Sequence, residues 1–269
     1  MTVLILMALV SALYLFLIAP ARRRPDAAGL IDRLYAHRGL HDGNQTVPEN
    51  SLAAFARAVE AGYGIELDVQ LTGDGRAVVH HDADTLRVCG ESRVIRRTPY
   101  AELPALPDGS AVPLLSDVLA LVAGRVPLIV EIKHYGSPAE NAARALEALR
   151  GYGGPYCVES FHPMAVRYFR KAAPALLRGQ LAMGGPRDPA ESGAIAYVAL
   201  SLLLVNALGR PHFVAYSCAA DRNLSMWLMK RCFRPLLAAW TIRDQRTLDR
   251  ARRDYRMLIF ERFSPDKRA

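Results

Sequence analysis

The chain alternates short apolar runs with segments of helical periodicity, which is the pattern of parallel α/β architecture. Residues 51–61, 138–151 and 244–254 are three of the segments predicted to be helices. Eight apolar runs are predicted to be barrel strands, namely residues 34–36, 65–69, 128–132, 156–159, 177–181, 213–216, 236–240 and 257–260. Eight parallel strands close such a sheet on itself, so the pattern predicts an α/β fold of the (β/α)8 TIM-barrel type.

One further apolar run, residues 77–81, does not fit the alternation. It follows the second predicted barrel strand after only residues 72–75, a turn that is too short for a parallel crossover but suits an antiparallel hairpin. We therefore interpret the segment from about residue 70 to 113 as a small insertion after the second barrel strand. The barrel domain as a whole is predicted to extend over residues 33–269.

The chain begins with a strongly apolar run without charged residues, residues 3–19, which is followed by Pro20 and by Arg22, Arg23 and Arg24. About 17 apolar residues is the lower limit for crossing a bilayer, and a secretory signal would carry basic residues before the run. The run predicts an N-terminal transmembrane helix, with residues 1–24 as a membrane anchor and its basic flank. The positive-inside rule then places the barrel in the cytoplasm. Export is the alternative, since residues 19–21 resemble a small-residue cleavage site.

A second apolar stretch, residues 194–208, is too short to span a bilayer comfortably. Chain breakers at residues 184–186 and 209–211 frame it as one predicted helix. A buried core helix is the default interpretation. A membrane-facing helix beside the active-site mouth is the alternative, and it would suit a lipid-derived substrate.

Composition narrows the class of protein. With 51% apolar and 22% charged residues, the chain has the balance of a folded protein. The four cysteines are far apart and form no CxxC pair, which argues against a zinc site and against a disulfide framework. The net charge of +8 is spread over scattered arginine runs without interleaved aromatic residues, so no nucleic-acid interface is predicted. Attraction to anionic lipid headgroups is the alternative role for these arginines.

Ionisable residues recur at two-residue spacing in two predicted strands. Glu66 and Asp68 share one face of the second barrel strand, and Glu131 and Lys133 repeat the spacing on the next. Their apolar neighbours indicate strands buried on both sides, so these faces point into a confined space. Three carboxylates cannot share such a space without compensation. Oxygen-only ligands predict one divalent cation, Mg²⁺ or Ca²⁺.

Two histidine motifs lie at predicted strand ends. His37 and Arg38 end the first strand, at the end of the barrel where active sites lie. His37 can transfer a proton near neutral pH, and Arg38 offers a planar fork for phosphate oxygens. His80 and His81 end the return strand and point to opposite faces, so at most one reaches the site directly. Two histidines at one phosphoryl group would supply a base and an acid, while the cation and a lysine offset charge on its oxygens.

These residues belong to seven short motifs that resemble, in order, those of the glycerophosphodiester phosphodiesterase family. The motifs are His37-Arg38-Gly39, Pro48-Glu49-Asn50-Ser51, Glu66-Leu67-Asp68-Val69, His81-Asp82, Glu131-Ile132-Lys133, Ser160-Phe161 and Trp240-Thr241. The resemblance covers about residues 34 to 265 and implies an α/β barrel that hydrolyses a glycerophosphodiester to glycerol 3-phosphate and an alcohol. The site residues that it implies are metal ligands at Glu66, Asp68 and Glu131, acid–base groups at His37 and His81, and phosphate contacts from Arg38 and Lys133.

The sequence departs from the usual family pattern at two positions. Arg243 stands where asparagine is common, and the last strand ends in Glu261 rather than in a Thr-Asp-like turn. Both positions lie where the glycerol or the alcohol would be recognised, so other substrates stay open, including a lysophospholipid cleaved by a lysophospholipase D or phospholipase C-like enzyme. A non-catalytic membrane-bound barrel is the third alternative, and retention of all the motif residues argues against it. Two roles are open for Glu49, orienting Arg38 or starting the next helix.

Overall fold

Eight parallel strands close into a barrel in the computed structural model, which describes residues 1–184 and 193–266. The strands of the sheet are β1 (Arg33–His37), β2 (Gly64–Leu71), β3 (Ala77–Val79), β4 (Leu128–Ile132), β5 (Tyr156–Ser160), β6 (Arg178–Ala182), β7 (Phe213–Ser217), β8 (Leu236–Ile242) and β9 (Met257–Phe260). Their order is β1-β9-β8-β7-β6-β5-β4-β2, and the pairing of β1 with β2 completes the ring. The predicted closed eight-stranded barrel is confirmed.

Helices surround the ring, and five of those described begin at a side-chain cap. They are α1 (Thr2–Ile18), α2 (Leu52–Glu60), α3 (Leu86–Cys89), α4 (Leu115–Val122), α5 (Pro138–Leu149), α6 (Pro163–Ala172), α7 (Ala194–Ser201), α8 (Asn206–Gly209), α9 (Leu224–Leu228) and α10 (Gln245–Ala251). Ser137 caps α5 and Asp244 caps α10, each accepting a hydrogen bond from a backbone N–H of the first turn. These caps fix where each helix leaves the loop that follows a barrel strand.

The third strand lies outside the ring. β3 pairs antiparallel with the end of β2, with Val69 opposite Val79, as the hairpin interpretation required. The segment after β3 contains α3 and two short 3₁₀ turns, and it has an apolar cluster of its own that includes Val88 and Ile95. The backbone N–H of His80 donates to the carbonyl of Asp68, so the hairpin returns to the level of the barrel mouth. The insertion therefore stands beside the carboxyl ends of the strands.

The barrel interior changes from apolar to ionisable along its axis. Tyr35, Ile129 and Cys157 belong to one buried cluster in the lower half of the ring. The inward positions two residues further along β4 and β5 are Glu131 and Glu159. Because the lower layer is filled with apolar side chains, chemistry is restricted to the mouth.

The apolar segment 194–208 forms two helices, not the single helix predicted from its flanks. Between α7 and α8, Leu203 adopts a φ of +58° and buries its side chain completely. A left-handed residue ends a helix, so the chain turns there. The first turn of α7 is exposed, and the buried-core interpretation is therefore wrong for that turn. The predicted flanking residues Gly185 and Pro186 lie outside the described residues.

The predicted transmembrane helix is not supported. α1 contains 17 residues, which rise about 25 Å, whereas the hydrocarbon core of a bilayer is about 30 Å thick. Across residues 1–184 and 193–266, no helix has both the length and the apolar character needed to cross a membrane. Residues 1–13 are exposed, and burial begins at Tyr14 and becomes complete at Ile18.

Candidate active site

Three carboxylates from two neighbouring strands meet at the barrel mouth. Asp68 of β2 is in register with Glu131 of β4, and Glu66 lies one inward position below Asp68. Glu66, Asp68 and Glu131 are 2%, 1% and 6% exposed. One oxygen from each of them lies within 4.8 Å of the others. The structure thus brings together the three residues proposed as metal ligands.

Lys133 partly compensates this negative charge. Its Nζ lies 3.2 Å from Asp68 Oδ1 and 2.8 Å from Glu131 Oε1. Burial would lower the pKa of Lys133, but Glu131 and Asp68 raise it, so the amine stays charged. Burial would likewise raise the pKa of Asp68, yet Lys133 and Arg38 lower it well below its ordinary value. Burial and the neighbouring Asp68 and Glu131 raise the pKa of Glu66 well above its ordinary value. Asp68 therefore carries its negative charge readily, whereas the ionised form of Glu66 is disfavoured as long as no cation is bound.

The donor set fits a hard divalent cation. Three carboxylates face a single ammonium group, and all the ligand atoms that they offer are oxygens. Polar neighbours orient two of these ligands: Asn50 Nδ2 donates to Asp68 Oδ2 at 2.8 Å, and the backbone N–H of Arg38 donates to Glu66 Oε2 at 3.1 Å. Such outer contacts fix the ligands of metal sites. Mg²⁺ and Ca²⁺ both fit this chemistry, because each prefers oxygen ligands.

His37 ends β1 next to these carboxylates. Its Nε2 lies 3.9 Å from Glu66 Oε2 and its Nδ1 lies 3.7 Å from Glu261 Oε1, so both distances exceed hydrogen-bond length. Burial lowers the pKa of His37 to about 4, although the Glu261 carboxylate acts in the opposite direction. The imidazole is therefore neutral at pH 7, and a neutral imidazole can accept a proton.

Glu261, directly after β9, lies close to ionisable side chains that the sequence did not connect with it. Its Oε1 lies 3.6 Å from His41 Nε2, and Arg243 Nε donates to its Oε2 at 3.0 Å. Burial would raise the pKa of Glu261, but His37, His41 and Arg243 lower it far below the ordinary value. Arg243 and Glu261 are the two departures from the usual family pattern, and they pair with each other. The sequence feature that could have revealed this pair is that both residues lie at the ends of neighbouring strands, β8 and β9.

Arg38 follows β1 with a φ of +57°, and its guanidinium lies between two carboxylates. Its Nη1 donates to Glu49 Oε1 at 2.7 Å, while its Nε lies 3.4 Å from Asp68 Oδ2. Glu49 is therefore the partner that orients Arg38. The other role considered for Glu49, starting the helix, belongs to Ser51, whose Oγ accepts a hydrogen bond from the Ala54 N–H.

Arg87, on α3 of the insertion, joins both sides of the mouth. It donates to the two Glu49 oxygens at 2.6 and 2.9 Å and, through Nε, to Asp82 Oδ2 at 2.6 Å. Asp82 Oδ1 in turn lies 2.6 Å from His81 Nδ1. One guanidinium thus connects the Arg38 side of the site with the His81 side. Sequence reasoning missed Arg87, because 38 positions separate it from Glu49 and no local pattern marks it.

His81 and His80 point in opposite directions, as strand alternation predicts. His81 is partly exposed at the mouth, and its Nδ1 is engaged by Asp82. His80 is buried in the insertion, where its Nε2 lies 3.1 Å from the Asp84 carbonyl oxygen. Of the two rings, His81 is therefore the one whose remaining nitrogen can face a ligand.

A fourth inward carboxylate, Glu159 on β5, was not among the predicted site residues. It is in register with Glu131, and its buried Oε2 makes no hydrogen bond. Burial and the charges of Glu131 and Asp68 raise the pKa of Glu159 well above its ordinary value, which favours the neutral acid. The sequence could have identified Glu159, because it lies two residues after Cys157 in a predicted strand and so shares its face. The same alternation identified Glu66 and Asp68.

Two aromatic rings lie at the same end of the barrel. Phe161 follows β5 and Trp240 belongs to β8, and their ring centroids are 5.5 Å apart at an interplanar angle of 84°. Both rings are half-buried and pack on the apolar layer below. They therefore serve barrel packing and also form part of the wall of the mouth.

A closed parallel barrel with three carboxylates, a charged lysine and two histidines at its mouth defines an enzyme that hydrolyses phosphodiesters. The sequence pattern of the glycerophosphoryl diester phosphodiesterase family matches residues 37–261. The chain is 32% identical over 222 residues to a probable glycerophosphodiester phosphodiesterase 1 of Mycobacterium tuberculosis, an alignment that covers 71% of this chain and 80% of the relative. It is 33% identical over 169 residues to a glycerophosphodiester phosphodiesterase of Caldanaerobacter subterraneus, covering 57% of this chain and 68% of the relative.

Solved structures agree with this assignment. A glycerophosphodiester phosphodiesterase of Thermotoga maritima superposes with a TM-score of 0.64 at 28% identity, covering 84% of this chain and 93% of the other. A phosphodiesterase of Oleispira antarctica, in complex with the product sn-glycerol-3-phosphate, shares the fold with a TM-score of 0.69 at 22% identity, covering 86% and 93%. The chain belongs to the glycerophosphoryl diester phosphodiesterase family. The family predicted from the motifs, and the class of enzyme with it, are confirmed.

Proposed function

We propose that the protein hydrolyses glycerophosphodiesters to glycerol 3-phosphate and an alcohol, with one divalent cation held by Glu66, Asp68 and Glu131. The observation that carries the proposal is the convergence of these three buried carboxylates beside Lys133 at the mouth. Family membership supports it, and the Oleispira antarctica enzyme of the same fold binds sn-glycerol-3-phosphate.

The side chains around the carboxylates take complementary roles in this proposal. Polarisation of the phosphoryl group is the chemistry that a divalent cation supplies in such a site. Arg38 and Lys133 donate hydrogen bonds to the non-bridging oxygens, where negative charge develops. His37, neutral at pH 7 because burial lowers its pKa to about 4, accepts the proton that the attacking oxygen nucleophile loses as it bonds to phosphorus. His81 donates a proton to the departing oxygen from Nε2, while Asp82 holds its Nδ1.

We place the enzyme next to a membrane, as a proposal that the sequence raised and that has its own support. The exposed part of α1, up to residue 13, presents apolar side chains to the surroundings, a surface that is unfavourable in water. All four cysteines are free, which suits the reducing cytoplasm rather than export. A lysophospholipid is the second candidate substrate, because exposed apolar side chains beside the mouth would hold the enzyme against the bilayer in which such a substrate lies.

The test is product analysis with the purified full-length protein on glycerophosphocholine and on lysophosphatidylcholine, each with Mg²⁺, with Ca²⁺ and with EDTA. Release of glycerol 3-phosphate from glycerophosphocholine with either cation, and none in EDTA, is the expected result. Cleavage of lysophosphatidylcholine at a higher kcat/KM would favour the second candidate. Absence of products from both substrates with both cations would refute the proposal. A Lys133→Met variant, which removes the ammonium charge and its hydrogen-bond donors but keeps a side chain of similar length, serves as the inactive control.

A further inference from the structure

Exposed apolar side chains are concentrated at one end of the barrel. Apart from Met1 and α1, the large ones among the described residues are Leu86, Val94, Met164, Ile195, Val198, Leu208, Leu224 and Trp227. All except Leu208 lie in the insertion or in the first two turns of a helix that follows a barrel strand, which is the side of the mouth. Ile195, Leu224 and Trp227 are 88%, 60% and 56% exposed. Leu208 lies just before β7, at the base.

The direction of α1 adds a longer apolar surface at the same end. Tyr14 OH lies 2.7 Å from Ser225 Oγ, near the start of α9 and therefore at the level of the mouth. The backbone N–H of Ala21 donates to the carbonyl of Pro211, just before β7 and therefore at the base. α1 thus runs along the outside of the barrel from mouth to base. The exposed residues 1–13 therefore continue past the mouth, over a length of about 20 Å.

This free part of α1 has no polar face. Residues 1–13 contain no charged side chain, and Thr2 and Ser11 are their only polar ones. A helix that is apolar all round needs apolar surroundings on every side. A protein groove would cover only one side of it, whereas lipid chains surround an inserted helix completely.

Cations accompany the apolar side chains at this end. Arg222 is exposed two residues before Leu224, and Arg243 and Arg262, which follow β8 and β9, are 62% and 57% exposed. Arginines beside exposed tryptophan and leucine match the boundary between anionic headgroups and acyl chains. The arginines at positions 22–24, by contrast, follow Ala21 at the base. The basic flank predicted from the sequence therefore lies at the opposite end from the free part of α1.

We propose that the mouth end of the barrel binds an anionic lipid bilayer, with residues 1–13 inserted end-on and with Ile195, Leu224 and Trp227 at the interface. The active site then faces the lipid surface, and its substrate arrives from the bilayer. Binding to the bilayer is inferred only from the exposed apolar and basic residues at the mouth end. The supply of substrate from the bilayer, in contrast, rests on the proposed function.

Co-sedimentation of the full-length protein with vesicles tests the binding without turnover. The wild type should bind phosphatidylcholine vesicles and bind more tightly when phosphatidylglycerol is added. Ile195→Glu and Leu224→Glu should each weaken binding by about tenfold or more, because they place charge at the depth of acyl chains. Leu208→Glu, the matched control at the base, should bind as the wild type does. Arg222→Gln should lose about fivefold on anionic vesicles only.

Turnover of soluble glycerophosphocholine separates this proposal from the enzymatic one. The four surface variants should keep wild-type kcat/KM on that substrate, and His37→Ala should lose turnover while it keeps vesicle binding. If the wild type did not bind anionic vesicles, or if the variants of Ile195 and Leu224 bound as tightly as that of Leu208, the proposal would be overturned. A concentration-dependent dimer that the same two substitutions abolish, without vesicle binding, would assign the surface to a second copy of the chain instead.

Discussion

Replacement of Glu66 by glutamine should affect stability in opposite directions with and without a divalent cation. Burial and the charges of Asp68 and Glu131 raise the pKa of Glu66, so its ionised form opposes folding when no cation is bound. Glutamine keeps an oxygen that accepts the hydrogen bond from the Arg38 N–H, and it removes the charge. Glu66→Gln in EDTA should therefore be at least as stable as the wild type. Because the pKa of Glu66 is raised in the folded state, its contribution lowers the stability of the wild type as pH rises above the unfolded value of about 4.3. The stability advantage of Glu66→Gln should therefore grow from pH 5 to pH 8.

Cation binding should reverse this order. A cation at 100 times its Kd stabilises the folded state by about 2.7 kcal/mol, which corresponds to a rise in Tm of about 5–10 °C for a chain of this size. If the loss of one ligand weakens binding about 100-fold, the same concentration adds only about 0.4 kcal/mol, or about 1–2 °C. The variant should therefore melt below the wild type in saturating Mg²⁺ or Ca²⁺.

Thermal unfolding with EDTA, Mg²⁺ and Ca²⁺ at three pH values measures both effects. Glu91→Gln, which removes a carboxylate that is 56% exposed, is the control and should respond to the cations as the wild type does. If Glu66→Gln kept the full rise in Tm, Glu66 would not be a ligand. If neither cation changed the Tm of the wild type, the carboxylate cluster would not be a cation site.

The other site contacts give three further predictions. His37→Ala should lower kcat by about 10²–10⁴-fold without changing Tm by more than a few degrees; near-normal turnover in a coupled product assay would exclude an acid–base role. Arg87→Met should reduce the free energy of unfolding at pH 7 by about 1–2 kcal/mol, because Glu49, whose pKa is lowered to about 2 despite burial, loses a cationic partner. A lowered pKa stabilises fully above the unfolded value of about 4.3 and progressively less between 4.3 and the folded value of about 2. Urea unfolding should therefore show this difference shrinking as pH falls from about 4.3 toward 2, and a constant difference would contradict the reasoning. Glu261→Gln should lower kcat more than it changes KM, since Glu261 faces Nδ1 of His37. Arg243→Gln should have a smaller effect on steady-state kinetics, because this guanidinium is mostly exposed. If both substitutions changed KM equally and left kcat unchanged, both residues would belong to substrate binding.

The strands and the metal-ligand candidates followed from the sequence because their signals are local. A run such as residues 128–132 is buried on both sides, so its apolar character is almost continuous and easily recognised. Side chains two residues apart in a strand point to the same face, so the spacing of Glu66 and Asp68 predicts their common direction without tertiary information. Glu159 has the same kind of signal on β5, and it was overlooked because its strand end carried only one ionisable residue.

The contacts that could not be predicted join distant parts of the chain. Arg87 and Glu49 meet only because the insertion folds back on the mouth, and no periodic pattern encodes where a hairpin docks. The break at Leu203 depends on burial of its side chain in the assembled barrel, so the stretch read as one helix in sequence. The direction of α1 was hidden for the same reason, since it depends on Tyr14 and Ala21 contacting opposite ends of the barrel.

The linkage through Arg87 has a consequence for how the enzyme can be rebuilt. The insertion after the second barrel strand has an apolar cluster of its own, so it looks like a module that could be exchanged between relatives. Here the module also supplies the guanidinium that sets Glu49, and Glu49 sets Arg38 on the barrel. A grafted insertion would therefore need a cation at the position of Arg87, as well as a histidine at the position of His81. Without it, the recipient barrel would keep its fold and its carboxylates but lose the alignment of its phosphate-binding arginine.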